Sequence, residues 1–305
     1  MRWICFAAVF AVATGAVAQD HYDLIVTGDH WLRTETPTYA PRGRDREETY
    51  KVFTHVYDFE GDGFLTKGSG GLYTHHRGLF IGWMQTSFGD ETVDTWHMRG
   101  CYQTHVEWLD QEIGEPASRQ VQLVEWRDKD HKPFIRETRT IAAKVGEGGR
   151  RVLDFQSRLE AVDRPVTLRG DLQHAGMQIR LANEVSEHSE TTEYLLPDSA
   201  EVREDDEVVG AWWAGCNADI GGKRYGFVHM TRPDHPTGAP VYSIRPYARF
   251  GAFSEHDVTP GSPLELNYRI VVSKEPLTQA ECDALFKAYS EEFLQKSGQK
   301  AVASN

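Results

Sequence analysis

The chain has 305 residues and a formal charge of −13 at neutral pH, a balance that repels nucleic acid and anionic membrane surfaces at long range and sets them aside as partners. Beyond Cys5 it holds three cysteines, Cys101, Cys216 and Cys282, an odd number that allows at most one bridge, for which Cys101 and Cys216 are the pair to test. No GxGxxG, phosphate-loop or GxSxG motif occurs, which excludes the usual nucleotide and serine-hydrolase signatures.

In chain order, residues 1–18 read as a secretory leader. Arg2 precedes an apolar run and Ala16-Val17-Ala18 supplies a small-residue cleavage site near Ala18, which predicts a periplasmic or extracellular protein. The run is shorter than the ~20 residues needed to span a bilayer, and no later run reaches that length. The remaining 287 residues are read as one β domain over 19–297 with a flexible tail over 298–305. Residues 50–59, "YKVFTHVYDF", alternate as a strand that ends in "EGDG".

Next comes "GGLYTHHRGLFIGW", residues 70–83, where two histidines and an arginine separate a glycine pair from an apolar run. Gly70, Gly71 and Gly78 permit a bend there, which predicts that the histidines leave regular pairing at the rim of a sheet. Residues 103–107 read as a strand with Gln103, His105 and Glu107 on one face. Residues 120–127, 134–142 and 151–160 form a meander through "DKDHK" and "GEGGR". In "QHAGMQIR", residues 173–180, alternation puts His174, Gly176, Gln178 and Arg180 on one face.

Further strands are read over 207–214, 224–230, 242–250 and 264–273, with "DIGGK" as a hairpin signal. Arg245 precedes Pro246, so it is placed where pairing stops. Thr278 and Glu281 have the capping-box spacing ahead of Leu285, Phe286, Tyr289 and Phe293, which predicts a helix packed on the sheet. So many strands with one helix predict a mainly β fold, a large antiparallel sandwich with a C-terminal helix.

The candidate site follows from residue type. Histidine titrates near neutrality and can move a proton, which nominates His76, His174 and His75 as catalytic groups. Arginine presents a fork to carboxylates and hydroxyls, which nominates Arg77, Arg180 and Arg245 as binding groups with Gln178 and Trp96. Glu107, Glu125 and Glu184 are the alternatives for a paired-carboxylate mechanism. His75, His97 and His105 are the weaker metal alternative, since no H-x-H, HExxH or CxxC spacing gathers ligands on one element. No cofactor is otherwise expected. Trp83, Trp96 and Trp213 are read first as core and second as sugar platforms. His131, His188 and His235 are read as solvated turn residues.

The stretches "TKGSGGLYTHHRGLFIGW", "TWH", "HAGMQIR" and "YARFGAF…LELNYRIVV" resemble the secreted bacterial family often labelled methane oxygenase PmoA, a domain of unknown function, over roughly residues 50–272. The label sits badly with the sequence, because particulate methane monooxygenase subunits are integral membrane proteins and this chain has no run long enough to span. The resemblance implies a carbohydrate-rich setting and a sandwich of the galactose-mutarotase type. Onto its motifs fall His75, His76, Arg77, Trp96, His174, Gln178, Arg180 and Arg245. The expected function is an exported carbohydrate-active lyase, epimerase or hydrolase acting on a sugar or other small polar substrate. The alternatives are a glycan-binding module and a metal-dependent oxidase or oxygenase.

Overall fold

The computed structural model describes residues 20–303, with side chains to residue 295, so the leader over 1–18 lies outside the described residues. Three antiparallel sheets make up the architecture, of nine, eight and four strands. The nine-stranded sheet runs His21–Val26, Asp29–Glu35, Phe53–Val56, Gly78–Trp83, Ala175–Arg180, Arg249–Phe253, Val241–Arg245, Glu207–Val209 and Glu201–Val202. The eight-stranded sheet runs Glu193–Leu195, Trp213–Ile220, Lys223–Thr231, Leu264–Ser273, Arg151–Ala161, Pro133–Val145, Ala117–Asp128 and Cys101–Glu112. His256–Val258, Val166–Arg169, Gln85–Phe88 and Glu91–Val93 form the small sheet.

Alternation explains the sandwich. In Arg151–Ala161 the odd residues Leu153, Phe155 and Leu159 are buried and join Ile81, Met177 and Phe250 of the nine-stranded sheet in one apolar cluster. The expected mainly β sandwich is the observed one, and the meander is longer than its sequence signal at every strand. Asp219-Ile220-Gly221-Gly222-Lys223 is the predicted hairpin, with both glycines at positive φ as a two-residue primed turn requires.

Several boundaries differ. Tyr50 ends a short helix, Gly43–Thr49, and the strand begins only at Phe53. Residues 242–250 form two strands that turn through Pro246-Tyr247-Ala248, so Arg245 does stand at a strand end. A register shift after His105 places Glu107 opposite Leu123, next to the Val124 that faces His105. That extra residue reverses the face, and His105 and Glu107 point to opposite sides.

The C-terminal helix is Gln279–Ala303, so it continues through residues 298–303, where the sequence predicts a flexible tail. Its start is the predicted capping box: Glu281 Oε2 accepts from the Thr278 backbone N–H at 2.9 Å and Glu281 N–H donates to Thr278 Oγ1 at 3.3 Å. Cys282 and Tyr289 pack with Val152, Trp213, Val228 and Val271 on the outer face of the eight-stranded sheet. Cys101, Cys216 and Cys282 are buried free thiols, so the Cys101–Cys216 bridge is not formed. No helix among the described residues is long and apolar enough to cross a membrane.

One buried ion pair anchors the meander. Glu137 and Arg139 are fully buried and joined by two bonds of 2.8 and 2.9 Å, and Glu137 also accepts from Trp126 Nε1 at 2.9 Å and Ser157 Oγ at 2.8 Å. Replacing Glu137 with Ala strands a buried guanidinium and two other donors, and is expected to cost about 3–5 kcal/mol. Urea unfolding of the variant checks this, and a loss below about 1 kcal/mol would refute it.

Candidate functional site

Four turns, from both ends of the paired strands Gly78–Trp83 and Ala175–Arg180, gather over the outer face of the nine-stranded sheet and enclose an open cleft of about 590 Å³. It is lined by Tyr73, His75, His76, His97, Gln173, His174, Asp206, Arg245, Pro246, Tyr247 and Arg249. The sequence thus foresees four lining residues, His75, His76, His174 and Arg245, from three distant segments.

The first turn precedes the strand Gly78–Trp83. Gly78 has φ +45, and a Cβ there would come within 2.2 Å of the Thr54 carbonyl oxygen, so the histidine turn is pressed onto its neighbouring strand at a position only glycine fills. Beneath the turn, buried basic side chains take its carbonyls. Lys51 Nζ donates to His75 O at 3.0 Å, Lys67 Nζ to Tyr73 O and His76 O at 3.3 Å each, and Arg77 Nε to Thr74 O at 2.9 Å. A polar backbone that leaves the sheet is satisfied in this way without water.

The second and third turns share one device. Asp94 Oδ1 accepts from the backbone N–H of Trp96 at 3.1 Å and of His97 at 2.8 Å, while its Oδ2 accepts from His97 Nδ1 at 2.8 Å. Asp171 Oδ1 likewise accepts from Gln173 N–H at 2.9 Å and from His174 Nδ1 at 2.6 Å. Each aspartate fixes an Nδ1–H tautomer and leaves Nε2 as the working nitrogen. The fourth turn brings Arg245 and Arg249 to the ends of paired strands. Arg245 is held by Asp206 at 3.1 Å, and Arg249 donates to Gln173 Oε1 at 3.0 Å.

The imidazoles form a contiguous row. Ring centroids lie 4.2 Å apart for His75 and His76, 4.3 Å for His75 and His97, and 5.1 Å for His97 and His174. His76 is 2 % exposed, and neither ring nitrogen has a partner. Burial holds it well below the usual histidine range, reinforced by His75, Arg249, Lys51 and Arg180. Burial and then Lys51 and the neighbouring imidazoles lower His75 to about 2. His174 is lowered by burial, against the opposing pull of Asp171. These three are neutral at pH 7, able to accept a proton rather than carrying one.

Other nominated residues lie outside the lining. Arg77 is fully buried under the turn, its fork on the carbonyls of Glu47 and Glu48 and its plane 4.5 Å from the Tyr50 ring. Arg180 is fully buried behind Tyr247, 4.9 Å from that ring, and Gln178 is fully buried against Arg249. Met177 and Ile179 of the same strand join the inner core, so Gln178 and Arg180 share the cleft-side face, where Arg249 and Tyr247 cover them. Trp96 is fully buried with Phe53 and Phe80, and supports His76 and His174 by edge contacts at 5.7 and 5.8 Å. Trp83 and Trp213 are core residues, so none of the three tryptophans offers a face to a sugar.

His105 bonds Gln122 Oε1 at 3.0 Å and packs on Trp108, away from the cleft, so the ligand set His75, His97 and His105 is not assembled. Among the described residues no group of three or more His, Cys, Asp or Glu side chains is disposed to hold a metal ion. Glu125 is tied to Arg127 and Arg136, Glu184 to the Gly221 N–H, and neither they nor Glu107 line the cleft. The lining residues with no forecast are Tyr73, Gln173, Asp206, Pro246, Tyr247 and Arg249, while His97 enters the forecast only as a metal ligand. The repeated spacing Asp94-x-x-His97 and Asp171-x-x-His174 is the signal that points to the second and third turns.

The sequence profile of a family of unknown function, DUF6807, matches residues 26–287. No curated protein matches the chain. Among solved structures, it is similar to a protein assigned as a kojibiose phosphorylase from human microbiome, with 9% identity, 86% of this chain and 32% of that one covered, and a TM-score of 0.37. It is also similar to a polysaccharide lyase with 15% identity, 84% and 33% coverage, and a TM-score of 0.34. The chain spans about a third of the length of both.

Proposed function

This chain belongs to the DUF6807 family of unknown function, and we propose that it is an exported carbohydrate-active enzyme, of lyase, epimerase or hydrolase type, that moves protons through the histidines of the cleft. The observation that carries the reading is the pair of aspartate-oriented imidazoles, His97 and His174, side by side in a cleft whose floor is the unpartnered His76. An imidazole whose Nδ1–H is held by a carboxylate accepts a proton at Nε2, and the carboxylate stabilises the imidazolium that results. Two such groups in one cleft supply a base and, once one is protonated, an acid. Arg245 and Arg249 stand where substrate oxygens would be held.

The size and walls of the cleft suit a sugar. Tyr73 is 46% exposed at the rim, and its ring lies 5.1 Å from that of Tyr247, which offers an aromatic edge for a pyranose. The same edge supports the second reading, a glycan-binding module in which the histidines only donate and accept hydrogen bonds.

Incubation of the purified protein with a panel of neutral and acidic polysaccharides, followed by product analysis and isothermal titration, tests the reading. Release or isomerisation of a product, lost in the double variant His97→Ala/His174→Ala, is the expected result. Binding without turnover replaces the enzyme with the module, and neither binding nor turnover across the panel defeats both.

A further inference from the structure

We infer that the cleft takes an acidic sugar, a uronate, in preference to its neutral counterpart. The inference rests on the sugar-directed reading above and adds the charge of the substrate to it.

The ground for it is a surplus of buried positive charge. Arg249 lines the cleft and is 1% exposed, and the acceptors it meets are neutral: Gln178 Oε1 at 3.2 Å, Ser243 Oγ at 2.9 Å and Gln173 Oε1 at 3.0 Å. Its Nε has no partner. Arg180, one ring behind the wall, donates to the carbonyls of Leu181 and Tyr247 and leaves Nε and Nη2 without partners. Lys51, Lys67 and Arg77 bond main-chain carbonyls beneath the histidine turn. Burial holds Lys51 well below the usual lysine range, so the positive charge at and under the cleft rests on the arginines, and no acceptor among the hydrogen bonds of Arg77, Arg180 and Arg249 is a carboxylate.

The acids of the site do not pair with Arg249 or Arg180: Asp206 is bonded to Arg245, and Asp94 and Asp171 turn their oxygens to His97, His174 and backbone N–H groups. Burying a charge without a partner is costly, and a fold that keeps several around one opening is matched to an anion that enters it. Burial lowers Lys67 to about 7, a proton balance that an arriving anion shifts toward the charged ammonium. Of the two guanidiniums on the lining, Arg245 is paired with Asp206 and Arg249 has no carboxylate partner, which leaves one guanidinium for one carboxylate on a pyranose.

Isothermal titration of the full chain at pH 7.5 with glucuronate, galacturonate, glucose, galactose and glucose 6-sulfate, at low and high sodium chloride, decides it. The uronate is expected to bind at least about tenfold more tightly than its neutral partner, with the gap shrinking in high salt and closing in Arg249→Met. The comparison within the wild type stands even where that variant fails to fold. Equal affinity for uronate and neutral sugar overturns the charge inference and leaves the sugar reading in place. Preference for the sulfate ester overturns the carboxylate assignment. Absence of binding by every sugar overturns this inference and the reading beneath it.

Discussion

Replacing His174 with Ala is expected to lower kcat on the glycan that the wild type turns over by a factor of about 10²–10⁴, the range for loss of a general acid or base. His174 is the side chain on which the test is cleanest. It is partly exposed at the mouth of the strand Ala175–Arg180, with 29% of its side chain accessible, so its loss leaves the core intact. Stability should move by no more than about 0.5 kcal/mol, as for surface substitutions generally. His97→Ala should cost a similar factor, and the double variant little more than the worse single one, because groups that act on one proton path are not additive. Asp171→Asn should fall between, since the amide no longer holds the Nδ1–H tautomer against alternatives. Unchanged kcat in His174→Ala, with a folded protein, would remove His174 from the proton path.

The sandwich was legible because burial on one face of a sheet writes a period of two into long strands, as in residues 151–161, and because "DIGGK" names its own turn. The histidine turn was legible for a similar reason, since glycines on both sides of "YTHHR" mark a departure from pairing. What stayed hidden is depth. Arg77, Arg180 and Gln178 have the chemistry of a binding site and stand next to it in the chain, yet each is turned beneath the surface. Which face of a central strand meets the cleft is fixed by partners 70 residues away, such as Arg249 against Gln178. The holding of His97 and His174 by aspartates was overlooked for a different reason. The spacing D-x-x-H also occurs at Asp128 and His131, where the ring bonds Tyr102 Oη at 2.8 Å on another sheet. The pattern acquires meaning only when the fold brings two of its three copies together.

Lowering the pH from 7 to 5 is expected to unfold the protein well before its carboxylates titrate. His55, His76, His229, His235 and His256 are buried, with exposures from 0 to 7%, although His235 stands in a turn that the sequence assigns to solvent. Burial lowers His55, His229 and His256 to about 3, His235 to about 4 and the half-buried His75 to about 2, with His76 also held far down. The unfolded chain binds protons at these residues near pH 6.5, and the folded chain does not. Their contribution to stability is therefore complete above pH 6.5 and is lost as the pH falls from there toward the folded values. Each costs about 1.4 kcal/mol per pH unit across that window, and the six together reach about 12 kcal/mol by pH 5, which is comparable to the 5–15 kcal/mol that folds a domain of ordinary stability. A Tm that is level from pH 8 to 7 and falls steeply below 6.5 is the expected result, and a level Tm down to pH 5 would refute it. His229→Gln, which removes a fully buried imidazole bonded to Tyr242 Oη at 3.2 Å, should shallow the slope. The same burial that keeps the core histidines uncharged keeps His75 and His76 uncharged in the cleft. Loss of activity below pH 6 must therefore be set beside the unfolding curve, and only the part that precedes unfolding belongs to a base that titrates.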